Sequence, residues 1–378
     1  MSDLNEYRTS LKIKRRKSLR ETLQNLPKVD LHRHLEGSLR LSTLAEIACE
    51  HGVDLPSYEI EELRPYVQVT TDEPPGFHTF LEKFSFLARF YSKLECIDRI
   101  SYEAVADAAQ DNVKYLELRF NPVTLALSQG FYLEEVVEQV ISAVKKAEQD
   151  FDVTVKLLTT IRRDYDQDTS SRMVDIAIHY ADQSIVGLDL AGDEVHYSAQ
   201  PFAELFNKAK EAGLGITVHA GEAAGAESVR TAIELLRADR IGHGVRANED
   251  LAVMDLVRER GITLEMCPTS NIQTAAVKAI TRHPLRAFHQ IGLPVTINTD
   301  DPSVSNTTLT DEYVVAVRDV GVTVPEIKQM ILTGVRAAFL RQSEKEQLEA
   351  VFTELQVTPN RAFREHRNLR CRGFGIST

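Results

Sequence analysis

Short β-rich runs alternate with longer amphipathic segments along most of this 378-residue chain. Eight such runs lie at 29–32, 115–120, 153–159, 185–190, 216–219, 240–243, 262–267 and 295–299. Helical periodicity is predicted between them at 41–51, 134–146, 202–212, 229–237 and 251–260. Repeated strand–helix units of this size indicate an α/β fold, and we predict a (β/α)8 TIM-type barrel. A doubly wound open sheet is the alternative.

One connection is much longer than the others. Residues 33–113 follow the first strand and are numerous enough for several helices, including the Phe-rich segment 77–84. Because barrel active sites lie at the C-terminal ends of the strands, we predict that this insertion forms a helical lid. Residues 312–355 predict additional C-terminal helices. We found no internal repeat or low-complexity linker, so we expect a single domain over 1–378, with a basic arm at 1–22 and a tail at 359–378.

Charge and composition restrict the possible partners. The net charge of −12 disfavours nucleic acid and anionic membranes. A local basic cluster, for which a solvated arm or helix face is the favoured interpretation, comprises Lys12, Lys14, Arg15, Arg16, Lys17 and Arg20. Neither a signal peptide nor a membrane span of roughly 20 apolar residues is evident, so we expect a cytoplasmic protein. The four cysteines form no Cys-x-x-Cys pair, so histidines and carboxylates must hold any metal.

Polar residues lie where the predicted strands end. His32 and His34 share a face of the first strand, because strand side chains alternate. The later strands end near Asp189 and Gly192, His219 and Glu222, His243, Asn271, and Asp300 with Asp301. Each has a structural explanation when taken alone, such as a hydrogen-bonded histidine, a tight turn at 242–244 or a helix cap at 300–302. Their joint placement at one end of a barrel favours a functional site.

Three imidazoles and one carboxylate suit zinc better than magnesium or calcium. We predict one Zn²⁺ per subunit, held by His32, His34, His219 and Asp300, with an open position for water. A two-metal barrel hydrolase would need a bridging group, often a modified lysine, after the fourth strand, and 187–192 contains none.

A bound ion lowers the pKa of its water toward about 7 and makes that water a nucleophile. His243 and Asp300 are predicted to orient and deprotonate this water, while Glu222 protonates the substrate and Asp301 faces it. Glu222 could instead be an acid that stabilises the first turn of a helix.

Taken in order, these motifs resemble those of the adenosine/adenine deaminase family of the amidohydrolase superfamily. The resemblance runs from about Leu26 to Leu340. It rests on PKVDLHRHLEG at 27–37, FLEKF at 80–84, DLAGDE at 189–194, HAGE at 219–222, IGHG at 241–244, CPTSN at 267–271 and NTDDP at 298–302. As an ordered set these motifs are highly specific.

The resemblance implies hydrolytic deamination of adenosine and 2′-deoxyadenosine to inosine and 2′-deoxyinosine, with release of ammonia, in purine salvage. Glu222 would protonate N1 of the purine while activated water attacks C6, and His243 would stabilise the attacking hydroxide. The resemblance places the remaining substrate contacts at His34, at Glu36 near the 5′-hydroxyl, at Phe80 and Phe84 near the ribose, at the Gly192 N–H for N3, and at Asp301 for N7.

Two positions bear on the choice of substrate. Gly242 stands where the adenine-specific branch usually has Asp, which favours a nucleoside over free adenine. Glu36 stands where the family has Asp, which leaves a 5′-modified adenosine, such as aminodeoxyfutalosine, as an alternative to adenosine. A non-catalytic nucleoside-binding relative is a third hypothesis, although no predicted ligand or acid is missing. The expected partner is a small purine nucleoside, and the protein is expected to be a monomer or a homodimer.

Overall fold

Eight parallel strands form a nearly closed barrel in the computed structural model, which describes residues 18–127 and 130–353. The strands are β1 Lys28–His34, β2 Val113–Phe120, β3 Thr154–Arg162, β4 Ile185–Ala191, β5 Gly215–Ala220, β6 Arg240–His243, β7 Thr263–Met266 and β8 Val295–Ile297. Each strand pairs in parallel with the next along the chain. A bridge between Arg33 and Asp300 joins the end of β8 to β1. The predicted (β/α)8 barrel is thereby confirmed.

Helices cover the outside of the barrel and extend over one end. They are α1 Leu19–Gln24, α2 Leu41–His51, α3 Ile60–Val67, α4 Phe77–Leu87, α5 Leu94–Gln110, α6 Pro122–Leu127, α7 Leu133–Asp150, α8 Gln167–His179, α9 Ala203–Glu211, α10 Ala226–Glu234, α11 Leu251–Arg260, α12 Pro268–Gln273, α13 Leu285–Gln290, α14 Leu309–Val315, α15 Val324–Ala337 and α16 Gln342–Val351. A π-helical turn at Ala316–Val320 follows α14. The predicted additional C-terminal helices correspond to α14, α15 and α16.

The amphipathic pattern explains how these helices pack. In α7, Val136, Val140 and Val144 recur at the helical period and are buried, whereas Glu134 and Glu138 lie on the opposite, more exposed side. The strands are buried on both faces because helices cover the outside of the barrel. The apolar runs of the sequence therefore correspond to the inner layer of the fold.

The segment from 33 to 113 contains helices of two kinds. α4 lines the cavity at the C-terminal end of the barrel with Phe80 and Phe84. α5 instead packs against α7 and β2, in the position of a barrel helix. Only part of this long connection therefore lies over the mouth of the barrel.

The opposite end of the barrel is filled by Phe339. Its ring packs so closely on Gly187 and Gly215 that a Cβ at either glycine would overlap it. The Arg240 guanidinium lies 3.5 Å from the ring centroid, and the Phe339 N–H donates to Glu117 Oε1 over 2.7 Å. The segment after α15 is thus anchored beneath the barrel.

Several expectations concern the ends of the chain and the cysteines. Arg20 forms an ion pair with Asp311, whereas the other members of the basic cluster and the tail at 359–378 lie outside the described residues. Cys49, Cys96 and Cys267 are free. No helix among residues 18–127 and 130–353 is long and apolar enough to cross a membrane.

Candidate metal and active site

A cavity of about 820 Å³ opens at the C-terminal ends of the strands. Small-molecule sites in barrels occupy this position, and their volumes are typically about 300–1,000 Å³. The structure brings the following sequence-predicted residues to its wall: His34, Glu36, Phe80, Phe84, Gly192, His219, Glu222, His243, Asp300 and Asp301. His32, the remaining predicted ligand, is fully buried beside them.

The four predicted metal ligands converge. His32, His34, His219 and Asp300 each offer one ligand atom, and these atoms all lie within 4.8 Å of one another. Nε2 of His34 lies 3.2 Å from Nε2 of His219 and 3.4 Å from Oδ1 of Asp300. Burial lowers the pKa of His34 well below its usual value, which favours the neutral imidazole that a metal requires.

Buried carboxylates hold the outer nitrogens of two of these rings. Nδ1 of His32 lies 2.8 Å from Glu265 Oε2, and Nδ1 of His219 lies 2.9 Å from Asp189 Oδ1. These contacts place the Nδ1 proton toward the carboxylate and leave Nε2 free to face the centre of the cluster. Carboxylate–histidine pairs orient metal ligands in this way.

The cluster fits a metal ion better than it fits a hydrogen-bonded network. Within the described part of the chain, the buried Nε2 atom of His32 has no hydrogen-bond partner, although Oδ1 of Asp300 is 3.1 Å away. A buried polar atom without a partner is costly unless something else satisfies it. One cation at the centre would satisfy this nitrogen together with the facing nitrogens of His34 and His219. The imidazole and carboxylate donors are those that zinc prefers.

Glu265 is the main residue of the site that the sequence analysis missed. Its carboxylate also accepts from Arg119 at 2.9 Å, Thr217 at 3.2 Å and Arg240 at 2.5 Å. Burial opposes ionisation, yet the two guanidiniums prevail and hold the pKa of Glu265 well below its usual value. The sequence signal that could have identified Glu265 is a charged residue within the otherwise uncharged strand β7.

Glu222 lies in the loop after β5. The Glu194 carboxylate, which is itself buried, accepts from the backbone N–H groups of Gly221, Glu222, Ala223 and Ala224 at 2.6–3.1 Å and so fixes this loop. Burial and the nearby Asp300 carboxylate raise the pKa of Glu222 well above its usual value. Since α10 begins only at Ala226, Glu222 is not an acid in the first turn of that helix.

His243 faces the carboxyl groups of Glu222 and Asp300. Its Nε2 atom lies 3.5 Å from Glu222 Oε2 and 4.0 Å from Asp300 Oδ2. Burial lowers the pKa of His243 well below its usual value, and Asn271 Nδ2 lies 3.0 Å from its Nδ1 atom. If the amide donates to Nδ1, the neutral ring carries its proton on Nε2, toward the carboxylates.

Two residues of the site have strained backbones. His243 and Asp300 adopt φ angles of 63° and 59°, which non-glycine residues rarely adopt. Such strain persists only where the surrounding structure enforces it, and it concentrates at functional sites. Asp300 is also held ionised: burial opposes this, but the adjacent His243 and His32 keep its pKa well below the usual range.

Asp301 and Glu36 are buried carboxyl groups on the cavity wall. Burial and the neighbouring Asp300 raise the pKa of Asp301 well above its usual value, and its Oδ1 has no partner among the residues that the structure describes. A side chain at Gly37 would overlap the Asp301 carboxylate. Glu36 accepts from the Asn121 N–H at 2.6 Å, and burial raises its pKa to about 7. Both can therefore carry a proton toward a ligand.

We expect Asp189→Asn to weaken metal binding by about 10- to 100-fold, because the amide cannot match the carboxylate that orients His219. Competition with a chromogenic chelator measures this change. Asp175→Asn, at an exposed position paired with Lys208, is the matched control and should bind metal normally. Unchanged affinity in Asp189→Asn would contradict the orienting role.

Comparison with known proteins identifies the family to which the chain belongs. The adenosine deaminase family profile matches residues 27–354. An adenosine deaminase of Proteus mirabilis is 41% identical over 323 residues, covering 85% of this chain and 96% of that protein. A solved structure of an adenine deaminase from Arthrobacter aurescens is similar, with a TM-score of 0.80 and 29% identity, covering 87% of this chain and 98% of that one. A solved structure of an amidohydrolase from Burkholderia ambifaria with bound Zn is also similar, with a TM-score of 0.82 and 26% identity, covering 89% of this chain and 93% of that one.

A (β/α)8 barrel with three imidazoles and a carboxylate gathered at its strand ends defines a hydrolase of the amidohydrolase type. The family match covers most of the chain, and the relatives are similar over nearly their whole length. The chain belongs to the adenosine deaminase family and is a hydrolytic deaminase.

Proposed function

We propose that this protein deaminates adenosine and 2′-deoxyadenosine to inosine and 2′-deoxyinosine, with release of ammonia, as a zinc-dependent cytoplasmic enzyme of purine salvage. The observation that carries the proposal is the position of Glu222. This buried carboxyl group, with its raised pKa, lies 3.5 Å from His243 and on the same cavity wall as three of the four candidate metal ligands. An acid that remains protonated beside a hydrolytic centre is what deamination of an aromatic amidine requires.

Zinc, when held by His32, His34, His219 and Asp300, would supply an activated water at neutral pH. The protein's own residues then manage the protons. Glu222 donates its proton to N1 of the purine, so that C6 accepts the water oxygen. The Nε2–H group of His243 orients the water, and the ionised Asp300 takes up its proton. Asp300 passes that proton to the amino group, the C6–N bond breaks and ammonia leaves, while the C6 hydroxyl returns its proton to Glu222 as the 6-oxo group forms.

The cavity wall suits a purine nucleoside. N7 of the base is a hydrogen-bond acceptor, and the protonated Asp301 carboxyl can donate to it. Gly192, whose φ of 96° favours glycine, places backbone at the cavity, where we assign its N–H to N3. The rings of Phe80 and Phe84, with centroids 6.0 Å apart, supply an apolar wall for the ribose.

A nucleoside panel tests the proposal. The metal-loaded enzyme should convert the ultraviolet spectrum of adenosine to that of inosine and release one ammonia per turnover. The panel should contain adenosine, 2′-deoxyadenosine, adenine and a 5′-substituted adenosine. Absence of ammonia from every 6-aminopurine would overturn the proposal.

Glu36 supports a second candidate within the same reaction. Its buried carboxyl, with a pKa of about 7, lies on the cavity wall where the family has a shorter acid. A 5′-modified adenosine such as aminodeoxyfutalosine is therefore the alternative substrate. Free adenine is a further alternative, since a similar structure is an adenine deaminase. The ratio of kcat/KM across the panel distinguishes the three.

A further inference from the structure

A second group of metal-ligating side chains lies at the mouth of the cavity. It consists of His78 on the lid helix α4 together with Asp193 and His196 in the loop after β4, and we call it the mouth cluster. One ligand atom from each residue lies within 4.8 Å of the others. The rings of His78 and His196 face each other at 32°, with centroids 5.8 Å apart. Residues more than 100 positions apart in sequence thus meet across the entrance.

Asp193 is held in position by its own loop. Its Oδ1 atom accepts from the N–H groups of Val195 and His196 at 3.0 and 3.1 Å. Its other oxygen, Oδ2, lies 2.7 Å from Nδ1 of His196. The carboxylate is therefore oriented before any ligand arrives, and little side-chain entropy would be lost on binding.

The donor set suits a first-row divalent cation. Zinc takes imidazole nitrogen and carboxylate oxygen at about 2.0–2.2 Å, which places neighbouring donors roughly 3.4 Å apart. The donor atoms lie within 4.8 Å of one another, so the most widely separated pair needs to approach by at most about 1.4 Å, while Asp193 Oδ2 and His196 Nδ1, 2.7 Å apart, need to separate slightly. The side chain of His196 is 61% exposed, so a small displacement of its ring would cost little packing. With only one carboxylate, the cluster lacks the oxygen ligands that magnesium and calcium require.

We infer that the mouth cluster binds a second zinc ion, which ties the lid helix to the loop after β4. Both elements border the cavity, so an ion shared between them restrains the movement that admits substrate and releases product. Such lid steps frequently limit turnover. Excess zinc is therefore an inhibitor that acts away from the barrel centre. This consequence for rate rests on the proposed function, whereas binding of the ion does not.

The binding test uses enzyme whose barrel site is already filled with one equivalent of zinc. Titration with further Zn²⁺ against a chromogenic chelator should show one additional equivalent in the native protein. His196→Ala, outside the residues that line the cavity, should weaken this second equivalent by at least about 10-fold, and His78→Gln should do the same. His179→Ala, an exposed histidine at the end of α8, is the matched control. A second equivalent bound equally by His196→Ala, or by no form of the protein, would overturn the inference.

The rate test separates this inference from the proposed function. Excess zinc should inhibit the native enzyme and leave His196→Ala, which has normal basal turnover, unaffected. If both forms are inhibited alike, the mouth cluster does not mediate the effect. If no nucleoside is turned over at all, the proposed function fails while the binding titration still decides the metal site.

Discussion

Replacing Glu222 with Gln is expected to lower kcat by about 10²- to 10⁴-fold while the metal content stays unchanged. The amide has nearly the same shape but cannot donate a proton as an acid, and general acid catalysis contributes a factor of this size. Steady-state rates on adenosine and metal analysis of the same preparation measure the two quantities. Glu222 is not among the candidate ligands, so its replacement should separate chemistry from metal binding.

The pH profile gives a second measure of the same role. Burial and Asp300 raise the pKa of Glu222, so the carboxyl keeps its proton at neutral pH. We expect kcat/KM to fall as the pH rises through this raised pKa, because the acid then loses its proton. Glu227→Gln, at an exposed position on α10, is the matched control and should retain full activity. Full turnover in Glu222→Gln would remove Glu222 from the mechanism.

Replacing His219 with Ala should abolish both metal retention and activity. Loss of an orienting partner alone costs about 10–100-fold in metal affinity, so loss of a direct ligand should cost more than about 100-fold. The variant also leaves Asp189 without its imidazole partner. Metal analysis after dialysis and assays with added zinc measure the effect. His179→Ala serves as control, and full metal occupancy in His219→Ala would exclude His219 as a ligand.

The convergence of the metal ligands could be predicted from sequence because the topology of the barrel requires it. Parallel strands in sequential order bring all their C-terminal ends to one face. His32, His219 and Asp300, which lie far apart along the chain, therefore had to approach one another once eight strands were recognised. The lid helix was accessible for the same reason, since the connection after β1 begins at that face.

The buried contacts that hold the ligands in position could not be predicted in the same way. Glu265 contacts His32, Arg119 and Arg240 inside the barrel, and these contacts depend on strand stagger and on which side chains point inward. β1 has an irregular register between Asp30 and Arg33, and no sequence pattern indicated it. Glu194 was recognised within a motif, but its four backbone contacts depend on the path of the following loop.

The contact between Phe339 and the paired glycines beneath the barrel has an evolutionary consequence. Neither Gly187 nor Gly215 can gain a methyl group while the aromatic ring occupies that space. Lineages that enlarge position 215 should therefore carry a smaller residue at 339, and the two substitutions should be inherited together, whereas a Cβ at 187 would also meet the Gly215 carbonyl oxygen. These coupled substitutions would occur at the end of the barrel opposite the candidate active site.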